Sequence, residues 1–320
     1  MRKFLELSLI TGFSTLFTFC LLFITLETTE VIHKVLLNVF PNLWCDLEKM
    51  NESVEFLRPI GYFAFAVVII LILVGFISER GYLSALGSLT LFLPVFGYFA
   101  FAMFFLSGIG VLRVLWFPLI DIAPWFLNLG NIIYIPYGVS MLPFALLRMN
   151  IGDLIPLAFM ALGILVFLIG VMTWLSGKSK GLEIVDFGLY KFSRHPQYFG
   201  YLLWSYGLLL SATLAGAPRG GIVSTPSLPW LISALIIIGV ALQEENKMLK
   251  NQGADYVRYR HTTSFMLPLP KQLSNSIVAP IRVLLKKRWP ESRKEVVFIL
   301  IVYGCLLVLL SLPIVLFFPS

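Results

Sequence analysis

The sequence predicts an all-α, polytopic membrane protein of about eight to nine transmembrane helices, and three observations carry that prediction. Apolar runs of 18 or more residues recur along the whole chain, each long enough to cross a bilayer as a helix. Of the 320 residues, 58% are hydrophobic and only 13% charged, with a mean hydropathy of +0.89; a soluble domain carries about twice that charged share. Segments of roughly ten alternating residues, the mark of a membrane barrel, are not evident.

The runs fall at 7–26, 59–77, 83–106, 108–127, 129–147, 154–175, 198–217, 228–243 and 296–318. The first follows Met1-Arg2-Lys3 without a small-residue cleavage site, so it is expected to be a retained span or signal anchor. The run 108–127 is the weakest, since it carries Arg113, Pro118, Asp121 and Pro124; the alternative is an interfacial or re-entrant segment. Arg113 and Asp121 would lie about 12 Å apart along a helix, too far to pair. Gly216-Ala217-Pro218-Arg219-Gly220-Gly221, with Pro226 and Pro229 beyond it, is a turn-rich connection. It makes 198–243 a helical hairpin whose two ends share one membrane face. The resulting division is an N-terminal transmembrane module at 1–150, a core at 151–270, a basic segment at 271–295 and a last helix at 296–320.

Charge orients these elements. The net charge is +7, and Lys271–Lys294 holds seven basic residues against Glu291 alone, +6 by itself. Such a loop is expected in the cytosol; binding of anionic lipid head groups is the sharper alternative. Glu27–Arg58 holds six acids and three basic residues and belongs outside. With 108–127 counted as a span, Ser176–Gln197 falls in the cytosol, where Lys178, Lys180, Lys191 and Arg194 agree with it. Basic residues beside membrane helices argue against nucleic acid as a partner. Cys20, Cys45 and Cys305 form no CxxC pattern, and His33, His195 and His261 are scattered, so neither a disulfide framework nor a metal site is expected.

Two segments concentrate ionisable and aromatic residues. One is Gly188-Leu-Tyr-Lys-Phe-Ser-Arg-His-Pro-Gln-Tyr-Phe-Gly200; the other is the pair Glu244–Glu245. Pro196 suits the first position of a helix and keeps His195 extended. The helix should start there, leaving the N–H groups of Gln197, Tyr198 and Phe199 unpaired for an anion, with Arg194 and His195 beside them. The plainer alternative is a helix cap with interfacial anchors. Adjacent acids at a helix C-terminus are unfavourable, so Glu244–Glu245 is either a solvated end or a partner for a cation. Together the two ends offer donors for a carboxylate and a carboxylate for an ammonium, the amino-acid part of S-adenosylmethionine. Tyr190 and Tyr198 offer aromatic faces for its adenine or sulfonium, or else belong to an interfacial aromatic belt with Tyr201, Trp204 and Tyr206.

The pattern Gly188-x-Tyr190-x3-Arg194-His195-Pro196-x-Tyr198-x-Gly200, then Glu244-Glu245-x7-Gly253-x2-Tyr256-x2-Tyr259, resembles the isoprenylcysteine carboxyl methyltransferases and related phospholipid methyltransferases over about residues 153–270. The resemblance implies a membrane enzyme using S-adenosylmethionine. It implies cofactor contacts at Ile184, Val185, Tyr190, His195, Pro196, Gln197, Tyr198, Glu244 and Glu245, and Glu245→Ala is expected to weaken that binding. Arg194 is the candidate catalytic residue; Arg258, Arg260 and His261 are candidates for the acceptor's carboxylate or phosphate, or for snorkelling anchors. The expected partners are the lipid bilayer and an acceptor that is a membrane lipid or prenylated small molecule. The expected location is the plasma membrane or endoplasmic reticulum, with the site facing the cytosol. Ala241 stands where prenylcysteine enzymes carry an arginine, so that substrate is not carried over. Arg-His-Pro-x-Tyr with a Tyr-x2-Tyr tail and Thr263-Ser264-Phe265 is similar also to NADPH-dependent steroid and sterol reductases. A transporter or scaffold is the third class, without the paired interrupted helices it would need.

Overall fold

The computed structural model describes residues 2–39, 47–96, 111–148, 151–214 and 226–317, and they are helical apart from short connections. In chain order they form α1 (Arg2–Val39), α2 (Leu47–Ile77), α3 (Gly81–Phe96), the four-residue α4 (Phe117–Ile120), α5 (Ile135–Leu146), α6 (Leu154–Ser179), α7 (Pro196–Leu214), α8 (Ser227–Thr262), α9 (Lys271–Leu285) and α10 (Arg293–Phe317). Five stretches among the described residues are long and apolar enough to cross a membrane: Leu5–Phe23, Glu55–Ile77, Leu154–Ser179, Ser227–Thr262 and Arg293–Phe317. Leu, Ile, Val and Phe side chains cover the outer surfaces of all of these except the mostly buried Ser227–Thr262, as Leu157, Leu162 and Leu165 do on α6, a face that only lipid solvates favourably. The chain is thus a membrane-embedded helical protein.

The expected span 108–127 is not one helix. From Val111 it runs as a 3-10 turn to Trp116, then α4, then a second 3-10 turn over Pro124–Asn128. Pro118 and Pro124 each lack the N–H a continuous helix would use, and Asp121 pairs with Arg58 on α2 at 2.6 Å. Counting this segment as a span therefore fails, and the orientation argument that leaned on it loses that step. Parts of the runs 83–106 and 198–217, and the expected hairpin tip around Gly216–Gly221, lie outside the described residues.

The chain divides into two compact units, each built from separated segments. One comprises Leu22–Ala158, Tyr206–Ile236 and Tyr303–Ser320. In it α2 and α3 pack as a hairpin, Ser84 Oγ donating to the Ile72 carbonyl at 3.0 Å, and the Trp116 indole donates to the Leu91 carbonyl at 2.9 Å. The other comprises Met1–Leu21, Phe159–Ser205 and Ile237–Val302, so it crosses the divisions expected at 150 and 270. All the residues singled out by sequence as a site lie within it.

Three glycines shape this second unit. α6 and α7 cross at Gly163 and Gly200, where a Cβ on Gly200 would stand 2.5 Å from the Phe167 backbone nitrogen and 2.8 Å from the Gly163 carbonyl oxygen. Small residues at such a crossing let backbones touch, which is how helices gain contact where lipid removes the hydrophobic drive. Gly253 breaks α8 with φ 50° and ψ −121°, a conformation open to glycine and outside the left-handed well other residues can reach. The break redirects the last turns, which carry Tyr256, Tyr259 and Arg260. Nothing lies within 4 Å of a Cβ placed there, so Gly253→Ala is expected to destabilise through backbone strain alone, by about 1–3 kcal/mol. Gly253→Asn is expected to behave the same way, because Asn tolerates the left-handed well and not this ψ. Thermal unfolding in detergent reads both.

Candidate functional site

α7 begins at Pro196, as its ring geometry predicts. The Phe199 N–H, however, donates to the His195 carbonyl at 3.0 Å, and the Gln197 nitrogen packs against α6, 3.3 Å from a Cβ placed on Gly170. The expected row of open N–H donors is thus closed at Phe199 and crowded at Gln197. His195 caps the helix through its carbonyl oxygen and is itself buried, as is Pro196.

Glu244–Glu245 do not close a helix as expected, because α8 continues past them to Thr262, and the two side chains separate completely. Successive helical residues point about 100° apart, and Glu245 turns inward while Glu244 stays exposed. The Glu245 side chain is 0% exposed. Arg194 Nε donates to its Oε1 at 2.6 Å, His195 Nε2 lies 3.3 Å from the same oxygen, and Arg260 Nε stands 3.2 Å from Oε2. The Arg260 approach is a charge contact without hydrogen-bond alignment. Two guanidiniums face one carboxylate, leaving at least one positive charge in excess in a buried cluster. The Nη2 atoms of Arg194 and Arg260 are buried and have no hydrogen-bond partner among the described residues.

Arg194 ties three segments together. Besides Glu245, its Nη1 donates to the carbonyls of Arg260 at 2.8 Å and Thr263 at 2.5 Å. Its backbone N–H donates to the Ser264 carbonyl at 2.9 Å, the end of a single bridge between Ser193 and Ser264. This commits most of the guanidinium to holding α7 against the end of α8. Above it lies Trp289, whose ring sits 4.9 Å from the Arg194 guanidinium carbon and 5.4 Å from that of Arg260. Phe265 covers Arg194 from another side at 5.7 Å and meets the His195 ring edge-on. These aromatic faces solvate the cations in place of water.

Glu244 lies on the open side of α8. Tyr198 donates its hydroxyl to Glu244 at 2.5 Å, and Tyr190 is within electrostatic reach of the same carboxylate. Tyr190 is fixed through its carbonyl, which accepts from the Tyr259 hydroxyl at 2.7 Å. Burial pushes the Tyr190 hydroxyl above its ordinary value, so it stays protonated and neutral. Its turn starts at Gly188, where φ is 57° and a Cβ would strike the Thr173 side chain of α6 at 2.8 Å; glycine meets both demands. Val185 is buried against Gly177 of α6, while Ile184 is half-buried.

The acceptor candidates divide as well. Arg260 joins the buried cluster, whereas Arg258 and His261 are exposed one turn apart on the outside of α8. Sequence reasoning missed Trp289. It lies in the basic run after α9, and its only advance signal was a tryptophan embedded among Lys286, Lys287 and Arg288. It also treated Thr263-Ser264-Phe265 only as a reductase-like tail, although the backbone carbonyls there receive Arg194. No group of three or more metal-ligating side chains occurs among the described residues.

Fold and site together define a membrane-embedded helical protein with a buried, cation-rich cluster where the start of α7 meets the body and last turn of α8. Residues 135–263 match a family described as "Protein of unknown function (DUF1295)", a stretch that runs from the start of α5 to Thr263. It contains every residue predicted as a site and excludes Trp289. No curated protein and no solved structure matches the chain.

Proposed function

We propose that the protein is an integral-membrane methyltransferase that uses S-adenosylmethionine and acts on a lipid or isoprenoid-like acceptor at the cytosolic face of a plasma or endoplasmic-reticulum membrane. One observation carries this: where the start of α7 faces α8, the two helices present two poles of opposite sign. The exposed Glu244 carboxylate, flanked by Tyr198 and Tyr190, suits an ammonium or sulfonium. The unpaired guanidinium nitrogens of Arg194 and Arg260 suit a carboxylate, since a buried donor without a partner is destabilising until an acceptor arrives.

The donor set therefore fits the zwitterionic end of S-adenosylmethionine, which when bound supplies an electrophilic methyl group on sulfur. In this arrangement Glu244 holds the ammonium and the neutral ring of Tyr190 offers its face to positive charge. Glu245 touches no ligand; it keeps Arg194 and Arg260 in register. Phe265 and Trp289 exclude water from the guanidiniums, and the Trp289 side chain must move for a carboxylate to reach them. The rate contribution of the protein is alignment of donor and acceptor.

A reductase using NADPH is the second reading, favoured by the same two unpaired guanidiniums, which would accept a phosphate equally well. Calorimetry on the purified protein separates the two. S-adenosylmethionine is expected to bind, and Glu244→Gln is expected to weaken it about tenfold or more, at least 1.4 kcal/mol, with unchanged thermal stability. Binding of NADPH with no heat from S-adenosylmethionine overturns the methyltransferase reading.

A further inference from the structure

The segment between the site and the last membrane helix contains an element that the site does not use. α9 has three faces rather than two. Val278 and Ile281 are buried, with Ser274 and Leu285 half-buried beside them, and this face packs into the compact unit that holds the site. About 90° around the helix, at the 100° per residue of a regular helix, Leu273, Ile277 and Leu284 form a second apolar row that is 50%, 48% and 47% exposed. The remaining arc is exposed and mostly polar, with Gln272, Asn275, Ser276 and Arg282, whose guanidinium donates to Asn275 Oδ1 at 2.9 Å, and with Val283, 76% exposed, as its one large apolar side chain. A soluble two-faced helix has no use for the second apolar row.

Connectivity decides what that row meets. α10 starts at Arg293 and is one of the stretches long and apolar enough to span a membrane. Only residues 286–292 separate α9 from it, a connection that reaches at most about 25 Å when fully extended. α9 therefore lies at the membrane edge. Charge decides which lipid. Lys287 is occupied by Glu291 at 2.9 Å and Glu295 at 3.1 Å, so the segment's acid is spent internally. Arg282, Lys286, Arg288 and Lys294 are exposed, and no acid pairs with them in a described salt bridge.

We infer that α9 is an interfacial helix that seats Leu273, Ile277 and Leu284 in the bilayer surface and draws anionic lipid head groups to Arg282, Lys286 and Arg288. Each basic side chain near an anionic surface contributes attraction that falls off within a Debye length, and the apolar row adds burial at the acyl boundary. This inference stands apart from the methyl-transfer reading, since it concerns a surface that the site residues do not form.

The test uses the full chain in nanodiscs, with Cys20, Cys45 and Cys305 replaced by serine. A polarity-sensitive fluorophore is attached at Leu284→Cys on the apolar row or at Gln272→Cys on the mostly polar arc. The probe at 284 is expected to emit at shorter wavelength than the probe at 272, and to be quenched by brominated lipid. Brominated phosphatidylglycerol is expected to quench it more than brominated phosphatidylcholine at equal content. Combining Arg282→Gln, Lys286→Gln and Arg288→Gln is expected to remove that preference while leaving the apolar environment at 284. Equal exposure at 284 and 272 overturns the inference. So does equal quenching by the two lipids, or a probe at 284 shielded from all lipid by a second copy of the chain.

Discussion

Glu245→Ala is expected to lower the stability of the protein by about 3–5 kcal/mol, the effect of removing one partner from a buried ion cluster. The side chain is fully buried, so water cannot replace the lost carboxylate. Arg194 and Arg260 would be left facing each other, and the link from Arg194 to the end of α8 would have to hold against their repulsion. Glu244→Ala, one residue away, is expected to change stability by no more than about 0.5 kcal/mol, as for a typical surface substitution. A third variant separates folding from function. Changing Glu245 to Leu together with Arg194→Met and Arg260→Met removes all three charges at once, and an apolar replacement of a buried ion cluster is often neutral or stabilising. It is expected to recover most of the melting temperature lost in Glu245→Ala and still fail to bind an anionic ligand. If Glu245→Ala melts within about 1 kcal/mol of the unaltered protein, the cluster is hydrated and its burial is not what holds the helix ends.

The second large effect is expected at Gly200, far in chemistry from the charges. Gly200→Val places its branched side chain against backbone atoms of α6, the first at 2.5 Å from the Phe167 nitrogen, where no side-chain rotation can make room. Overpacking of this kind destabilises by about 1–3 kcal/mol and occasionally more, and backbone contact puts this site at the upper end. α7 would have to move away from α6, and the start of α7, with His195 and Tyr198, would move with it. Gly200→Val is therefore expected to lower both the melting temperature and ligand affinity. Gly304→Val is the control: its nearest neighbour is the mobile end of Leu235 at 3.5 Å, and a loss there as large as at Gly200 would remove the crossing as the cause.

The elements that could be read in advance are those set by local chemistry. Apolar runs longer than a bilayer is thick forced helices at α1, α2, α6, α8 and α10, because an unpaired backbone has no alternative in lipid. Pro196 announced the start of α7 through its fixed φ and missing N–H. Arg194 and Glu245, expected on one membrane face, meet at 2.6 Å, although Glu245 sits inside α8 and not at its end. Run 108–127 was visibly weak through its two prolines and Asp121, but the partner that holds Asp121, Arg58, is 63 positions away and leaves no local signal.

What the chain's local chemistry established was the helices, their membrane setting and the two segments that converge. It could not say which of two adjacent glutamates turns inward. That depends on the rotation of α8 about its axis, which packing sets and composition does not. Nor could it place Trp289 over Arg194 and Arg260, because those contacts join positions 95 and 29 residues apart across α9. The close crossing at Gly163 and Gly200 belongs to the same category, since a glycine signals permission for contact and not its partner. The tertiary arrangement alone converted a pair of acids into one buried counter-charge and one exposed carboxylate. Burial and long-range electrostatics are properties of how helices face each other, and a linear pattern records only where each helix has a face to offer.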